Sequence, residues 1–194
     1  VQILSIDLGT NLVPALALAV ERPRSDVMNR PPRSRNERLI DRALLGRAYG
    51  FLGPLQAVGA MTSFLIVLES GGWSLGETLP TDSALYLRAT SACLSTVVVM
   101  QMANLFACRS RDRSAFWMRA QANHLIPVGL AVEGALVATL VYAPLGNALF
   151  ATAPMTWGEW LRAGLFAVLF LLAEEVRKLV VRRWGRNIKG APQR

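Results

Sequence analysis

The sequence is poor in the residues that build most soluble functional sites. Its 194 residues include one histidine, two cysteines and only 8% aromatic residues. Cys93 and Cys108 show no metal-ligand spacing, so neither a disulfide framework nor a zinc site is expected. Charged residues are scarce at 18%, whereas hydrophobic residues make up 53%. The composition therefore excludes an ordinary soluble domain and favours a membrane protein.

Several sequence signals are also missing. No Walker-type glycine loop is present. The first residues have neither a charged n-region nor a small-residue cleavage site, so we expect no signal peptide. The net charge of +8 comes from residues that flank apolar segments without interleaved stacking aromatics, and this argues against nucleic-acid binding. Because the chain begins inside an apolar segment without methionine, we expect it to be a piece of a longer protein.

Long apolar segments predict an all-α membrane protein, a bundle of five transmembrane helices. A hydrocarbon core of about 30 Å needs about 20 helical residues at about 1.5 Å per residue. The segments that meet this length are residues 1–20, 48–68, 89–108, 120–142 and 157–181. Trp157 and Trp160 are expected at a membrane interface, and the last helix is expected to continue from the bilayer into water after Ala173, with Glu174, Glu175, Arg177 and Lys178 on that continuation.

Lysine and arginine are concentrated in alternate connections between these segments. Residues 21–47 hold eight, residues 109–119 hold four and residues 177–194 hold seven, whereas the other connections hold only Arg88 and Arg162. Cytoplasmic loops carry the excess of positive charge in membrane proteins. The sequence therefore predicts a multi-pass protein of the cell membrane with these three segments, including the C-terminus, in the cytosol.

The first apolar segment, VQILSIDLGTNLVPALALAV, contains polar residues at its centre. Asp7, Thr10 and Asn11 are related as i, i+3 and i+4 and therefore share one helix face. A carboxylate, a hydroxyl and an amide are hard oxygen donors of the kind that bind calcium, magnesium or alkali cations. The stretch Gly9–Pro14 predicts a kink or an unwound turn that offers carbonyl oxygens as well. The alternative is a kinked helix in which Asp7 only pairs with a neighbouring helix.

The later segments contain further intramembrane polar residues. Gln101 and Asn104 share a face of the third segment, where they act either as hydrogen-bonding links between helices or as further oxygen ligands. Glu133 is the only charged residue of the fourth segment, and at that depth it should be protonated, paired or bound to an ion. For Asn123 and His124, nearer the end of that segment, we expect an interfacial polar role.

The second segment combines small residues with one polar side chain. Gly50, Gly53 and Gly59 give it a small surface that favours close approach of another helix. Gln56 is expected to form a hydrogen bond between helices.

Several motifs in the correct order resemble a known family. The motif DLGTN followed by PA, the loop DVMNRPPR and the stretch LIDRALLGRAYG resemble the sixth transmembrane helix, the next loop and the start of the seventh helix of type II P-type cation-transporting ATPases, the group of the sodium/potassium and calcium pumps. The segment VVVMQMANLFACRSR is similar to the eighth helix, the Glu133 segment to the ninth and EEVRKLVVRR to the end of the tenth. The resemblance covers essentially the whole chain and implies helices six to ten.

The resemblance implies a set of cation-binding residues. In the family the sixth helix is unwound at the ion site, and ligands come from positions that match Asp7, Thr10, Asn11, Gln101 and, in members with a further site, Asn104. Glu133 matches the ninth-helix carboxylate tied to the third sodium site of the sodium/potassium pump. Asn11 stands where many members carry a second acid, and Asn104 where the sodium/potassium pump carries Asp. Two negative charges are thus missing, which weakens binding of a divalent ion or changes how many ions are moved.

The resemblance also implies a function and its cofactors. The chain is expected to be the membrane portion of an ATP-driven pump for Ca²⁺ or for Na⁺ and K⁺, a P-type translocase. ATP and Mg²⁺ would bind to cytosolic domains outside this chain, which lacks the DKTG phosphorylation motif, so no catalytic residue is expected here. The expected partners are the rest of the ATPase chain and the lipid bilayer.

Two other functional classes stay open. A secondary transporter or channel subunit would use the same intramembrane acids without ATP, but the inverted repeats of such proteins are not evident. A non-catalytic membrane scaffold would use the polar residues only to hold helices together.

Overall fold

The described residues of the chain are mostly helical. The structure, a computed structural model, describes residues 12–20, 40–109 and 123–189. Its helices are α1 (Leu12–Ala19), α2 (Arg42–Ser70), α3 (Ala84–Cys108), α4 (Leu125–Tyr142), α5 (Pro144–Phe150) and α6 (Trp157–Lys189). No strand occurs among the described residues. The predicted all-α architecture is confirmed.

Three helices, α2, α3 and α4, are long and apolar enough to cross a membrane. The longer α6 has no equally uninterrupted apolar window, because Glu159 and Arg162 follow its start and Glu174 interrupts it further on. Of the first predicted segment, the structure describes a helix only from Leu12. The predicted unwinding lies largely outside the described residues.

A wide turn near the start of α2 has a local cause. The helix is regular over Arg42–Arg47, π-helical over Ala48–Leu52 and regular again over Gly53–Ser70. Pro54 cannot donate a backbone hydrogen bond, and its ring clashes with the carbonyl four residues earlier in a regular helix. Gly53 allows the Ala48 carbonyl oxygen to come within 3.1 Å of the place where a Cβ atom would lie. The π-turn therefore follows from the Gly53 and Pro54 pair.

Helix α3 occupies the centre of the bundle. At one end, a cluster joins it to α2 and α6 through the buried residues Leu52, Met100, Ala103, Ala107, Ala167 and Phe170. A second cluster at the opposite end contains Val67, Ala89, Ala92, Val141 and Met155. A third cluster packs α1 against α3 and α4 through Ala17, Leu105 and Ile126. Because the three interfaces share α3, the polar residues of α3 are placed between the other helices.

The glycines of α2 differ in their surroundings. A Cβ atom on Gly59 would lie 2.9 Å from Met100 Sδ on α3, so this glycine allows the predicted close approach. Among the described residues, no atom lies within 4 Å of the place where a Cβ atom on Gly50 would lie. A Cβ atom on Gly53 would meet only the Ala48 carbonyl of its own helix. The predicted role in helix approach is therefore confirmed for Gly59 and stays a prediction for Gly50 and Gly53, which meet no other helix among the described residues.

We expect Gly146→Ala to destabilise the protein by about 1–3 kcal/mol, the usual range for overpacking. The new Cβ would lie 2.6 Å from the Thr139 carbonyl oxygen and 2.9 Å from that of Leu140, and backbone atoms cannot swing away as a side-chain tip does. The midpoint of thermal denaturation measures the effect. Gly158→Ala is the matched control, because no atom lies within 4 Å of its Cβ position, and an equal effect of both variants would contradict the packing argument.

Candidate functional site

Two adjoining cavities lie between α1, α2 and α3. The first, here called the amide cavity, measures about 270 Å³ and is lined by Ala15, Leu18, Gln56, Gln101, Asn104, Leu105 and Cys108. The second, the arginine cavity, measures about 180 Å³ and is lined by Leu44, Arg47, Ala48, Leu52, Gly53, Gln56, Asn104 and Cys108. Gln56, Asn104 and Cys108 belong to both walls. Three side-chain amides thus surround the amide cavity.

The amides of this site are incompletely hydrogen-bonded within the described part of the chain. Gln101 Oε1 and Gln56 Nε2 are buried and have no hydrogen-bond partner there. Asn104 Oδ1 accepts a weak bond from the Cys108 thiol at 3.5 Å. The predicted shared placement of Gln101 and Asn104 is confirmed, because both line one cavity. The predicted interhelical hydrogen bond is not formed by the Gln56 amide nitrogen. A buried amide oxygen without a partner is costly, and a bound cation would satisfy it.

Glu133 lies apart from both cavity walls. The side chain is buried in α4, with 1% of its surface exposed, and neither carboxylate oxygen has a hydrogen-bond partner among the described residues. A carboxyl group in such a position is expected to be protonated, bound to a cation or paired with a basic side chain. Glu133 therefore stays a candidate site residue, but it does not line the cavity that Gln101 and Asn104 line.

The three remaining predicted ligands, Asp7, Thr10 and Asn11, lie outside the described residues. The part of α1 that is described contributes Ala15 and Leu18 to the amide cavity. Among the described residues no group of three or more His, Cys, Asp or Glu side chains is placed to hold a metal ion, and no acidic residue lines either cavity.

Asn123 fixes the position of α1. Its side-chain nitrogen donates to the Ala17 carbonyl oxygen at 2.7 Å, and its side-chain oxygen accepts from the backbone N–H of Leu125 at 3.1 Å. Asn123 is 7% exposed, so the predicted interfacial role gives way to a buried link between α1 and α4. The neighbouring His124 is exposed, as an interfacial residue would be.

A buried ion-pair network joins three helices at the arginine cavity. Arg47 Nη2 donates to Glu174 Oε1 at 2.7 Å and to the Ala107 carbonyl oxygen at 3.2 Å. Arg177 also donates to both oxygens of Glu174, at 2.6 and 2.7 Å. The sequence predicts this part of α6 to extend into water, but Glu174 and Lys178 are buried, so that prediction is wrong for these two residues. The spacing of Glu174 and Arg177 was the only local signal of the network.

A second network lies at the opposite end of the bundle. Arg88 Nε donates to Glu159 Oε1 at 2.8 Å, and the backbone N–H of Thr156 donates to Glu159 Oε2 at 2.5 Å. Trp160 Nε1 donates to the Tyr142 hydroxyl at 2.7 Å. Trp157 is 77% exposed, which suits the predicted contact with a membrane interface. Each end of the bundle therefore contains an arginine that donates to a buried glutamate.

The chain matches the family described as cation transporting ATPase, C-terminus, over residues 1–180. It is 34% identical over 209 aligned positions to the alpha-2 subunit of the sodium/potassium-transporting ATPase of Gallus gallus, and 33% identical to that of Homo sapiens. The alpha-3 subunit of Gallus gallus is 31% identical over 208 positions. These alignments cover 94–95% of this chain but 20% of each relative, so the chain spans about one fifth of the relatives' length. The chain belongs to the cation-transporting ATPase C-terminal family and is the C-terminal region of a type II P-type ATPase.

Proposed function

We propose that this chain forms part of the intramembrane cation site of an ATP-driven pump. Its oxygen ligands would come from α3 and from the first apolar segment, whose described part, α1, lines the amide cavity. The observation that carries the proposal is the buried Gln101 Oε1, which has no partner among the described residues and lies on a cavity that α1 also lines. Asn104 supplies a second amide to the same wall.

Residue spacing extends the proposal to the first segment. Asp7, Thr10 and Asn11 stand a few positions before Ala15 and Leu18 in the chain. Ala15 and Leu18 line the amide cavity. In this proposal Asp7 is the principal charged ligand, and Asn11 and Thr10 add neutral oxygens.

Glu133 serves in this proposal as an accessory carboxylate or proton carrier. It is buried and unpartnered among the described residues, and an acid in that state exchanges a proton for a cation at low cost. With Asp7 and Glu133 as the only acids of the proposed set, the site suits a monovalent cation better than Ca²⁺, because divalent binding depends on several negative ligands. The names of the sodium/potassium-transporting relatives agree with a monovalent cargo.

The remaining parts of the proposal concern the whole protein. The chain crosses the cell membrane five times with its C-terminus in the cytosol, and ATP and Mg²⁺ bind to other domains of the same protein. The apolar outer faces of α2 and α6, including Val58, Met61, Leu165 and Leu172, then contact lipid. The direct test is the ATPase activity of the full-length protein at constant Mg²⁺, titrated in turn with Na⁺, K⁺ and Ca²⁺. Activity that is independent of all three would contradict the proposal.

We expect Asn104→Asp to raise the apparent affinity for the activating cation at least about tenfold. The change adds a carboxylate to the wall of the amide cavity, and a charge a few ångströms from a cation contributes a few kcal/mol even at an effective dielectric constant of about 20. The cation concentration at half-maximal ATPase activity measures the effect. Thr78→Asp, in an exposed loop far along the chain from the cavities, is the control, and an unchanged affinity in Asn104→Asp would argue against this position as part of the site.

A further inference from the structure

The charge of the arginine cavity is set by one residue. Among the described residues that line the two cavities, Arg47 is the only one with a formal charge. Gln56, Asn104 and Cys108 line both cavities, so the arginine lies in the wall adjoining the proposed ligand Asn104. A cation in the amide cavity would therefore meet a positive charge on this side.

The guanidinium group of Arg47 is held in place by its partners. It donates to the Ala107 carbonyl near the end of α3 and to the carboxylate of Glu174 on α6. Its side chain is only 10% exposed and that of Glu174 is fully buried, so the group has little freedom to swing away from an approaching ion. Buried charges are also screened much less by salt than exposed ones.

The carboxylate of Glu174 does not cancel the field of Arg47 in the cavity. Glu174 is shared by two guanidinium groups, because Arg177 donates to both of its oxygens. Glu174 does not line the cavity, whereas Arg47 does. Among the described residues, the formal charge in the wall of the cavities is therefore positive.

We propose that Arg47 is a specificity-determining residue of the cation site, a role that rests on the pump function proposed above. Its fixed charge repels a second cation from the arginine cavity and disfavours divalent cations more than monovalent ones. Coulomb energy scales with the charge of the ion, so the same guanidinium costs a divalent cation twice the free energy that it costs a monovalent one. A fivefold effect on a monovalent affinity thus corresponds to about 25-fold on a divalent one.

The test uses Arg47→Gln in the full-length protein, with half-activating concentrations of Na⁺, K⁺ and Ca²⁺ measured in ATPase assays. We expect the apparent affinity for the activating monovalent cation to rise about fivefold, and the apparent affinity for Ca²⁺ to rise by a larger factor. A merely structural role for Arg47 predicts the opposite sign, because loss of the Glu174 pair would disturb the site and lower affinity. Arg47→Lys keeps the charge and should retain the wild-type affinities.

Arg88→Gln is the matched control. Arg88 also donates to a buried glutamate at 2.8 Å, but it lies at the other end of the bundle and lines neither cavity, so its loss should leave cation affinity unchanged. Unchanged or reduced affinity in Arg47→Gln, or an equal gain in Arg88→Gln, would overturn the proposal. If the wild-type protein is cation-activated and Asp7→Asn loses that activation, such a result refutes the role of Arg47 alone, whereas a wild-type protein insensitive to cations refutes the pump function itself.

Discussion

Asp7→Asn in the full-length protein is expected to abolish activation of the ATPase by the transported cation. Asp7 is the only acid in the first apolar segment, and the described residues that line the amide cavity include no acid. One charged ligand at about 4 Å contributes about 4 kcal/mol at an effective dielectric constant of about 20. We therefore expect the half-activating cation concentration to rise at least about 100-fold, measured as phosphate release against cation concentration.

Asp82→Asn is the control for this change, because Asp82 is an exposed acid in the loop before α3. The ATPase activity of the Asp82→Asn variant should respond to the cation as that of the wild type does. If Asp7→Asn lowered thermal stability but retained full cation activation, the residue would only hold helices together, as in a membrane scaffold. Transport of the cation by a wild-type protein whose ATP hydrolysis does not respond to it would instead favour the secondary transporter or channel class.

Glu174→Ala is expected to destabilise the protein by about 3–5 kcal/mol, the usual cost of removing one partner of a buried ion pair. Arg47 and Arg177 both donate to this carboxylate, and it is fully buried. Its removal would leave the Arg47 guanidinium in the wall of the arginine cavity without a counter-charge. The midpoint of denaturation of the full-length protein, followed by intrinsic fluorescence, measures the loss.

The comparison for Glu174 is Glu69→Ala, at the other end of α2. Glu69 is exposed, and surface substitutions of this kind usually change stability by less than about 0.5 kcal/mol. A denaturation midpoint for Glu174→Ala equal to that for Glu69→Ala would show that the network contributes nothing to the fold. A double change, Arg47→Met with Glu174→Leu, should recover part of the loss, because it removes the buried Arg47 and Glu174 charges together and leaves only Arg177, which is 21% exposed, without this carboxylate.

Local patterns in the sequence were enough to predict the helices and to identify the residues worth testing. Uninterrupted apolar segments predicted α2, α3 and α4, since the length of such a segment reports directly on whether a helix can cross the hydrocarbon core. The spacing of Gln101 and Asn104 placed both amides on one face of α3, because a helix of 3.6 residues per turn fixes which side chains share a face. The isolated Glu133 was identified as a buried acid on the same basis.

Only the tertiary structure decided what those faces meet. Arg47 and Glu174 are 127 positions apart, so no periodic signal reports their ion pair, and the bond from Asn123 to the Ala17 carbonyl joins residues 106 positions apart. For the same reason the sequence placed Glu174 and Lys178 in water, whereas packing buries them. The amino-acid order thus determined which elements form and which of their faces are polar, because those properties depend on neighbours within a few turns. The partners, the two cavities and the buried charge beside them depend on how separate helices pack, and no local pattern contains that information.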